Sequence, residues 1–319
     1  MLSWFSIGLG LLLMTIGADV LVRGASAIAR RFGLSELFIG LTLVGFGTST
    51  PELVSSIEAA RIGAAGVALG NVVGSNIVNV LLIIGIATLI APIAVDPRAF
   101  RRDALVLAIA TIAAVGIAMT GSFGRAAGGL FIAALAAYIA FALFNERVHA
   151  NAPEALRHEQ EAAAFARGNA NIHLAFGLSV IGLILLIVGA KLLVNGAVDI
   201  ATKLEISDAI IGLTVVAIGT SLPELVTSIT AAMRGKSGLA MGNIVGSNIY
   251  NILGILGLTA LVAPFEVSPR IQQIDIWIML AATALVIFFA RTDHHVKRWE
   301  GAVLAALFLV YISSMIASA

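Results

Sequence analysis

The sequence predicts an all-α integral membrane protein in which ten transmembrane helices form two inverted five-helix repeats, with broken helices at the midplane of the bilayer. The first observation behind this prediction is composition. Of 319 residues, 60% are hydrophobic and 12% are charged, and the mean hydropathy is +1.04. Soluble domains carry about 25% charged residues. The second observation is that the apolar residues form continuous runs, which favours helices over the alternating pattern of a β-barrel.

Ten apolar segments are each long enough to cross a bilayer, which takes roughly 20 residues. The first segment has no basic region before it, so we expect a membrane helix and not a cleaved signal peptide. The longest connection, 147–171, is polar and separates a first repeat, 1–146, from a second, 172–319. The predicted segments are 4–27, 35–61, 66–91, 103–121, 126–145, 172–197, 207–233, 238–263, 273–290 and 301–318.

The two halves of the chain repeat at a constant offset, which makes position 45 equivalent to position 217 and position 79 equivalent to position 251. Residues 45–57 match 217–229 at 9 of 13 positions, and residues 69–79 match 241–251 at 8 of 11. Because each half holds five predicted crossings, an odd number, the second half is expected to lie upside down relative to the first. Inverted repeats of this kind are typical of secondary transporters.

Basic residues are divided unequally between the connections. Thirteen Lys and Arg follow an odd number of predicted crossings, and four follow an even number. The more basic connections of a membrane protein face the cytoplasm. The sequence therefore predicts a protein of the plasma (inner) membrane with both termini outside and the 147–171 linker in the cytoplasm.

Each repeat interrupts an apolar segment with a carboxylate, two hydroxyls and a proline. These residues are Thr48, Ser49, Pro51 and Glu52 in the first repeat and Thr220, Ser221, Pro223 and Glu224 in the second. Proline has no N–H, so the helix should break and leave free carbonyls on the preceding turn. An acid at the bilayer centre costs roughly 2.5–3.5 kcal/mol unless it is paired or protonated. The neighbouring segments hold no basic residue in their interiors, which favours a bound cation, with protons as competitors, over a purely structural acid.

A second polar motif follows in each repeat, at residues 74–79 and 246–251. Ser75 and Asn79 are four residues apart and so lie on one helix face, as do Ser247 and Asn251. We predict that these four side chains bind the cation, although hydrogen bonding between helices is the alternative. The structural role is the favoured interpretation for four further asparagines, Asn71, Asn76, Asn243 and Asn248.

All of these candidate ligands are oxygens, which suit hard cations such as Ca²⁺. Two carboxylates balance one Ca²⁺, and the same oxygens suit Na⁺ once Ca²⁺ has left. The leading hypothesis is therefore an antiporter that extrudes Ca²⁺ in exchange for Na⁺, with inorganic cations and the lipid bilayer as its partners and no cofactor. A H⁺/Ca²⁺ antiporter, a cation channel and an intramembrane enzyme are the alternatives.

A net charge of +1 gives no sign of a nucleic-acid partner, the absence of cysteine excludes thiolate chemistry, and no obligatory protein partner is evident.

These paired motifs resemble the alpha-1 and alpha-2 repeats of the cation/calcium exchanger superfamily. The resemblance implies four central ion sites in a diamond and alternating access in which the first and sixth helices slide across a rigid core. Some members carry aspartate where this chain has Asn79 or Asn251, so the resemblance leaves the stoichiometry, the choice of Na⁺ or H⁺, and any use of K⁺ open. The ligands that it implies are Glu52, Glu224, Thr48, Ser49, Thr220, Ser221, Ser75, Ser247, Asn79 and Asn251, with the backbone carbonyls of Gly45 and Ala217.

Overall fold

The computed structural model describes residues 2–61, 65–150, 172–204 and 217–317, and these ranges are helical almost throughout. Four two-residue strands lie in the connections: β1 (Ile93–Ala94), β2 (Ser122–Phe123), β3 (Phe265–Glu266) and β4 (His295–Val296). The helices are α1 (Leu2–Phe32), α2 (Glu36–Thr48), α3 (Thr50–Arg61), α4 (65–90), α5 (Pro97–Met119), α6 (Arg125–Ala150), α7 (Ile172–Lys203), α8 (Ala217–Thr220), α9 (Leu222–Met233), α10 (Ser237–Val262), α11 (Ile271–Thr292) and α12 (Arg298–Ala317).

Within the described ranges, eight helices are long and apolar enough to cross a membrane, and the bent pair α2–α3 makes a ninth. The helical membrane class predicted from composition is therefore confirmed. Of the predicted segment 207–233, only the part from residue 217 onward is described, where α9 is a shorter apolar helix. Nearly all of the predicted linker, 151–171, also lies outside the described residues, and the division into two repeats stays a prediction.

Helices α1 and α7 pack in close antiparallel contact through glycine. A Cβ atom added at Gly10 would lie 2.7 Å from the carbonyl oxygen of Gly189, and one added at Gly17 would lie 2.8 Å from that of Gly182. The numbers of the contacting residues increase along α1 as they decrease along α7, so the two helices run in opposite directions. Small residues allow this approach because no side chain separates the backbones.

Helices α4 and α10 form the buried centre of the molecule, and each is covered by a helix from the other half of the chain. Helix α6 packs on α10, where a Cβ at Gly128 would lie 2.7 Å from the carbonyl oxygen of Gly257. Helix α12 packs on α4 in the same way, between Gly301 and Gly85 at 2.8 Å. The two halves therefore share one core.

The strands also connect the two halves. Strand β1 pairs with β4 and β2 pairs with β3, both antiparallel. Each pair joins a connection in the first half of the chain to one in the second. Strands that pair must lie on the same face of the membrane, which restricts how many crossings can separate them.

Helices α4 and α10 each contain a stretch of π-helix, Val78–Ile84 and Tyr250–Leu256. The two stretches begin at equivalent positions of the sequence repeat. A π-helix widens the turn and changes which side chains share a face, and it is found frequently at functional sites. Each stretch contains, at its second position, one of the asparagines that the sequence predicts as ligands.

We expect Gly182→Ala to lower the stability of the folded protein by about 1–3 kcal/mol, because its Cβ would meet the backbone of α1. That Cβ would lie 2.6 Å from the backbone nitrogen of Leu21. Gly177→Ala, on the same helix, is the matched control because nothing lies within 4 Å of its Cβ. Thermal unfolding of the purified proteins measures the difference. Equal midpoints for the two variants would contradict the close packing of α1 on α7.

Candidate cation site

The predicted helix breaks are located at two serines. Ser49 separates α2 from α3 with φ −80° and ψ 8°, and Ser221 separates α8 from α9 with φ −91° and ψ 7°. The axes of α2 and α3 differ by 44°. A proline follows each serine by two positions, where its missing N–H and its ring prevent a continuous helix. The break places the serine and the following glutamate in the interior.

The two repeats exchange hydrogen bonds at this point. The Ser49 hydroxyl donates to Glu224 Oε1 at 2.9 Å, and the Ser221 hydroxyl donates to Glu52 Oε1 at 3.3 Å. All four side chains are at most 1% exposed. Each carboxylate is therefore held by the helix break of the opposite repeat, and the pair lies in the centre of the protein.

Five of the predicted side-chain ligands have a buried oxygen without a hydrogen-bond partner in the part of the chain that the structure describes. A buried polar atom without a partner is costly and requires an explanation, of which a bound ion is one. None of the ion pairs found among the described residues involves Glu52 or Glu224. The five atoms are Glu52 Oε2, Glu224 Oε2, Ser75 Oγ, Asn79 Oδ1 and Asn251 Oδ1.

The other predicted ligands differ from one another in their burial and in their contacts. Thr48 and Ser247 are fully buried, and the Ser247 hydroxyl donates to the carbonyl oxygen of Gly45 at 3.2 Å. Thr48 Oγ1 lies 3.0 Å from the carbonyl oxygen of Val44. Thr220 lines a cavity beside Ser75. Ala217 is the first described residue of α8.

One asparagine in each repeat donates hydrogen bonds to the helix that follows the break. Asn71 Nδ2 donates to the Glu52 carbonyl at 3.3 Å and to Ser56 Oγ at 3.0 Å. Asn243 makes the same pair of bonds in the second repeat, to the Glu224 carbonyl at 3.3 Å and to Ser228 Oγ at 2.9 Å. These contacts agree with the structural role expected for both asparagines. The serines were not singled out from the sequence, although they too occupy equivalent positions of the two repeats.

A cavity of about 430 Å³ extends from Ser75 and Thr220 toward one face of the molecule. Ser268 and Arg270, in the connection before α11, lie along its wall. The residues at the equivalent positions of the other repeat, Ser247 and Thr48, are 0% exposed. A smaller cavity of about 350 Å³ lies beside residues 246–250 but is not lined by Ser247 or Thr48. The two sides of the site therefore differ in how closely a cavity approaches the predicted ligands.

A second duplicated pair lies on the two sides of the site and was missed in the sequence. Tyr138 donates to Asp103 at 2.9 Å, and Tyr311 donates to Asp275 at 3.3 Å. The first pair is buried beside Arg102, whereas Asp275 and Tyr311 line the cavity. The signal was present, because the two aspartates occupy equivalent positions of the repeats.

Among the residues that the structure describes, no group of three or more His, Cys, Asp or Glu side chains could hold a metal ion. The candidate site instead combines two carboxylates with uncharged hydroxyl, amide and carbonyl oxygens. Such a donor set suits a hard cation and does not suit metals that prefer nitrogen or sulfur.

Comparison with known proteins identifies the family. The model of the sodium/calcium exchanger protein family matches residues 2–144 and 174–317. The chain belongs to the sodium/calcium exchanger family. The putative antiporter CaxA of Alkalimonas amylolytica is 38% identical to this exchanger over 308 residues, which cover 95% of each chain. The sodium/calcium exchanger MaX1 of Methanosarcina acetivorans is 35% identical over an alignment that again covers 95% of each chain.

The fold of this exchanger is also similar to a solved one. A structure of the sodium-calcium exchanger NCX_Mj, soaked with 2.5 mM Na⁺ and 0.1 mM Ca²⁺, superposes with a TM-score of 0.84. The two chains are 34% identical, and the match covers 98% of each. This likeness extends over both halves of the chain. It agrees with the resemblance of the paired motifs to the cation/calcium exchanger superfamily.

We expect a thiol at position 55 to react with a water-soluble maleimide about tenfold faster than one at position 227, because a buried thiol reacts only after local opening. Ser55 is exposed and lines the cavity, whereas Thr227, its equivalent in the second repeat, is 0% exposed. Since the chain contains no cysteine, Ser55→Cys and Thr227→Cys each introduce the only thiol. Equal labelling rates in the purified protein would contradict this difference between the two sides of the site.

Proposed function

We propose that this exchanger is a secondary active antiporter that extrudes Ca²⁺ in exchange for Na⁺ by alternating access. One observation carries the proposal. Glu52 and Glu224 are buried together, each with a carboxylate oxygen that has no partner among the described residues. A buried carboxylate is tolerated when it is paired, and the described part of the chain offers no basic side chain for that role. A bound cation supplies the missing charge.

The proposed ligands are all oxygen atoms. Ca²⁺ takes six to eight oxygens, and two carboxylates balance its charge. Na⁺ suits the same oxygens, so either ion excludes the other from the shared positions. Mutual exclusion at one site is the simplest physical basis for exchange. The set comprises Glu52, Glu224, Thr48, Ser49, Thr220, Ser221, Ser75, Ser247, Asn79, Asn251 and the carbonyls of Gly45 and Ala217.

The proposed architecture is ten crossings in two inverted repeats. The antiparallel packing of α1 against α7 supports the inversion, because these helices carry equivalent sequences. The pairing of the strands supports the count of ten crossings. Strand β1 pairs with β4, so an even number of crossings should separate them. Helices α5, α6, α7, α10 and α11 supply five, and a crossing at 207–233 makes the sixth.

The proposed orientation places both termini outside the plasma (inner) membrane and the 147–171 linker in the cytoplasm. Ser268 and Arg270 then lie on the outer face, so the cavity that they line opens outward. Exchange requires a second state that is open to the cytoplasm. The close contact of α1 with α7 suits a movement of these two helices across the α4–α10 core, as the resemblance implies. No other protein or cofactor is needed in this scheme beyond the bilayer and the transported ions.

A H⁺/Ca²⁺ antiporter is the second candidate, and the same carboxylates favour it. A buried acid without a basic partner is neutralised by a proton as well as by a cation. The names of the relatives favour Na⁺, since MaX1 is described as a sodium/calcium exchanger. The driving ion is therefore an outcome of the transport experiment.

We expect Glu52→Gln and Glu224→Gln each to reduce ⁴⁵Ca²⁺ uptake into Na⁺-loaded proteoliposomes to background, because each removes half of the charge that balances Ca²⁺. Glu58→Gln is the matched control, since Glu58 lies on the same helix as Glu52 but is exposed. It should transport like the unchanged protein. Voltage is clamped with an ionophore so that only the ion gradients differ between samples.

In the same assay, the ion loaded into the proteoliposomes distinguishes between the two candidate functions. Uptake that requires internal Na⁺ supports Na⁺/Ca²⁺ exchange. Uptake that is driven by internal acid and indifferent to Na⁺ would replace it with the H⁺-coupled reaction. Uptake that needs neither ion would contradict exchange and indicate a channel.

A further inference from the structure

Asn79 and Asn251 each present a buried amide oxygen to the candidate site. A side-chain amide has an acceptor end, the oxygen, and a donor end, the NH₂ group, and only the oxygen binds a cation. Rotating the amide by half a turn exchanges the two ends with little change in shape. Because Asn79 Oδ1 and Asn251 Oδ1 have no hydrogen-bond partner among the described residues, something other than those atoms must fix which end faces the site.

The donor ends of these two amides are held by asparagines of the opposite repeat. Asn79 Nδ2 donates to Asn248 Oδ1 at 2.9 Å, and Asn251 Nδ2 donates to Asn76 Oδ1 at 3.1 Å. All four side chains are at most 1% exposed. Water therefore does not compete for these bonds. Asn248 Nδ2 has no hydrogen-bond partner among the described residues, so the bond between Asn79 and Asn248 does not by itself fix the orientation of either amide.

The orientation of Asn76 is itself fixed by the backbone. Asn76 Nδ2 donates to the carbonyl oxygen of Asn248 at 3.4 Å. A carbonyl oxygen only accepts, so the end of Asn76 that faces it must be the NH₂ group. Asn76 Oδ1 then faces Asn251, so Asn251 must donate a hydrogen bond from its own NH₂ group. The remaining atom, Asn251 Oδ1, has no hydrogen-bond partner among the described residues.

We propose that Asn76 is a positioning residue, which orients the amide of Asn251 so that its oxygen faces the cation. The inference rests on the proposed function, because it assumes that this oxygen binds Ca²⁺. It extends the role expected from the sequence, where Asn76 is assigned to hydrogen bonding between helices. Without Asn76, the amide of Asn251 is free to turn its NH₂ group toward the proposed cation position, and this donor opposes cation binding.

A double-mutant cycle separates orientation from packing. Leucine at position 76 keeps a similar volume but accepts no hydrogen bond. We expect Asn76→Leu to raise the Kd for Ca²⁺ about tenfold, which corresponds to one hydrogen bond of about 1.4 kcal/mol. Aspartate at position 251 has two equivalent oxygens and needs no orientation. In an Asn251→Asp protein, Asn76→Leu should therefore leave the Kd unchanged or lower it, because it removes an oxygen that faces the carboxylate.

The Kd is measured by equilibrium ⁴⁵Ca²⁺ binding to the purified full chain, and only ratios within one background are compared. An equal loss in both backgrounds would overturn the positioning role and leave a packing role. Failure of the unchanged protein to bind Ca²⁺ would overturn the proposed function and this inference together. If Asn76→Leu does not fold, the smaller Asn76→Ala, which also accepts no hydrogen bond, is compared in the same two backgrounds and decides between the same outcomes.

Discussion

The structure depends on one electrostatic constraint: two carboxylates lie in a membrane interior without a basic side chain among the described residues to balance them. Burying a charge is expensive in a medium of low polarity unless an opposite charge accompanies it. Glu52 and Glu224 are nevertheless 1% and 0% exposed, and each has an oxygen without a partner in the described ranges. The interrupted helices and the inward-facing hydroxyls and amides supply uncharged oxygens around that centre. They are understandable as the coordination shell of an ion that the protein exchanges.

Duplication explains how one chain builds such a site. Each repeat contributes half of the charge, and each half is held by the other, since Ser49 bonds to Glu224 and Ser221 bonds to Glu52. The symmetry of contacts is not complete. Asp275 and Tyr311 line the larger cavity beside Ser75, whereas Tyr138 lines a smaller cavity and Asp103 is 0% exposed.

The sequence alone predicts the class of the fold and the centre of the site, because both depend on local signals. Continuous apolar runs predict the helices, and proline predicts the break that the structure places at Ser49. The π-helical stretches that carry Asn79 and Asn251 were not predicted, since a 3.6-residue period is assumed wherever a segment is apolar throughout. The partners of Asn76 and Asn248 were not predicted either, although hydrogen bonding between helices was the favoured role for both. These bonds connect residues of opposite repeats, and only the folded chain brings them together.

The central claim is that Ca²⁺ and Na⁺ compete for one site built around the two glutamates. Equilibrium binding of ⁴⁵Ca²⁺ to the purified protein at increasing Na⁺ concentrations tests it without the complications of transport. The account predicts that Na⁺ displaces Ca²⁺ completely and raises its apparent Kd, whereas choline at the same ionic strength does not. Calcium binding that persists undiminished at saturating Na⁺ would contradict the shared site.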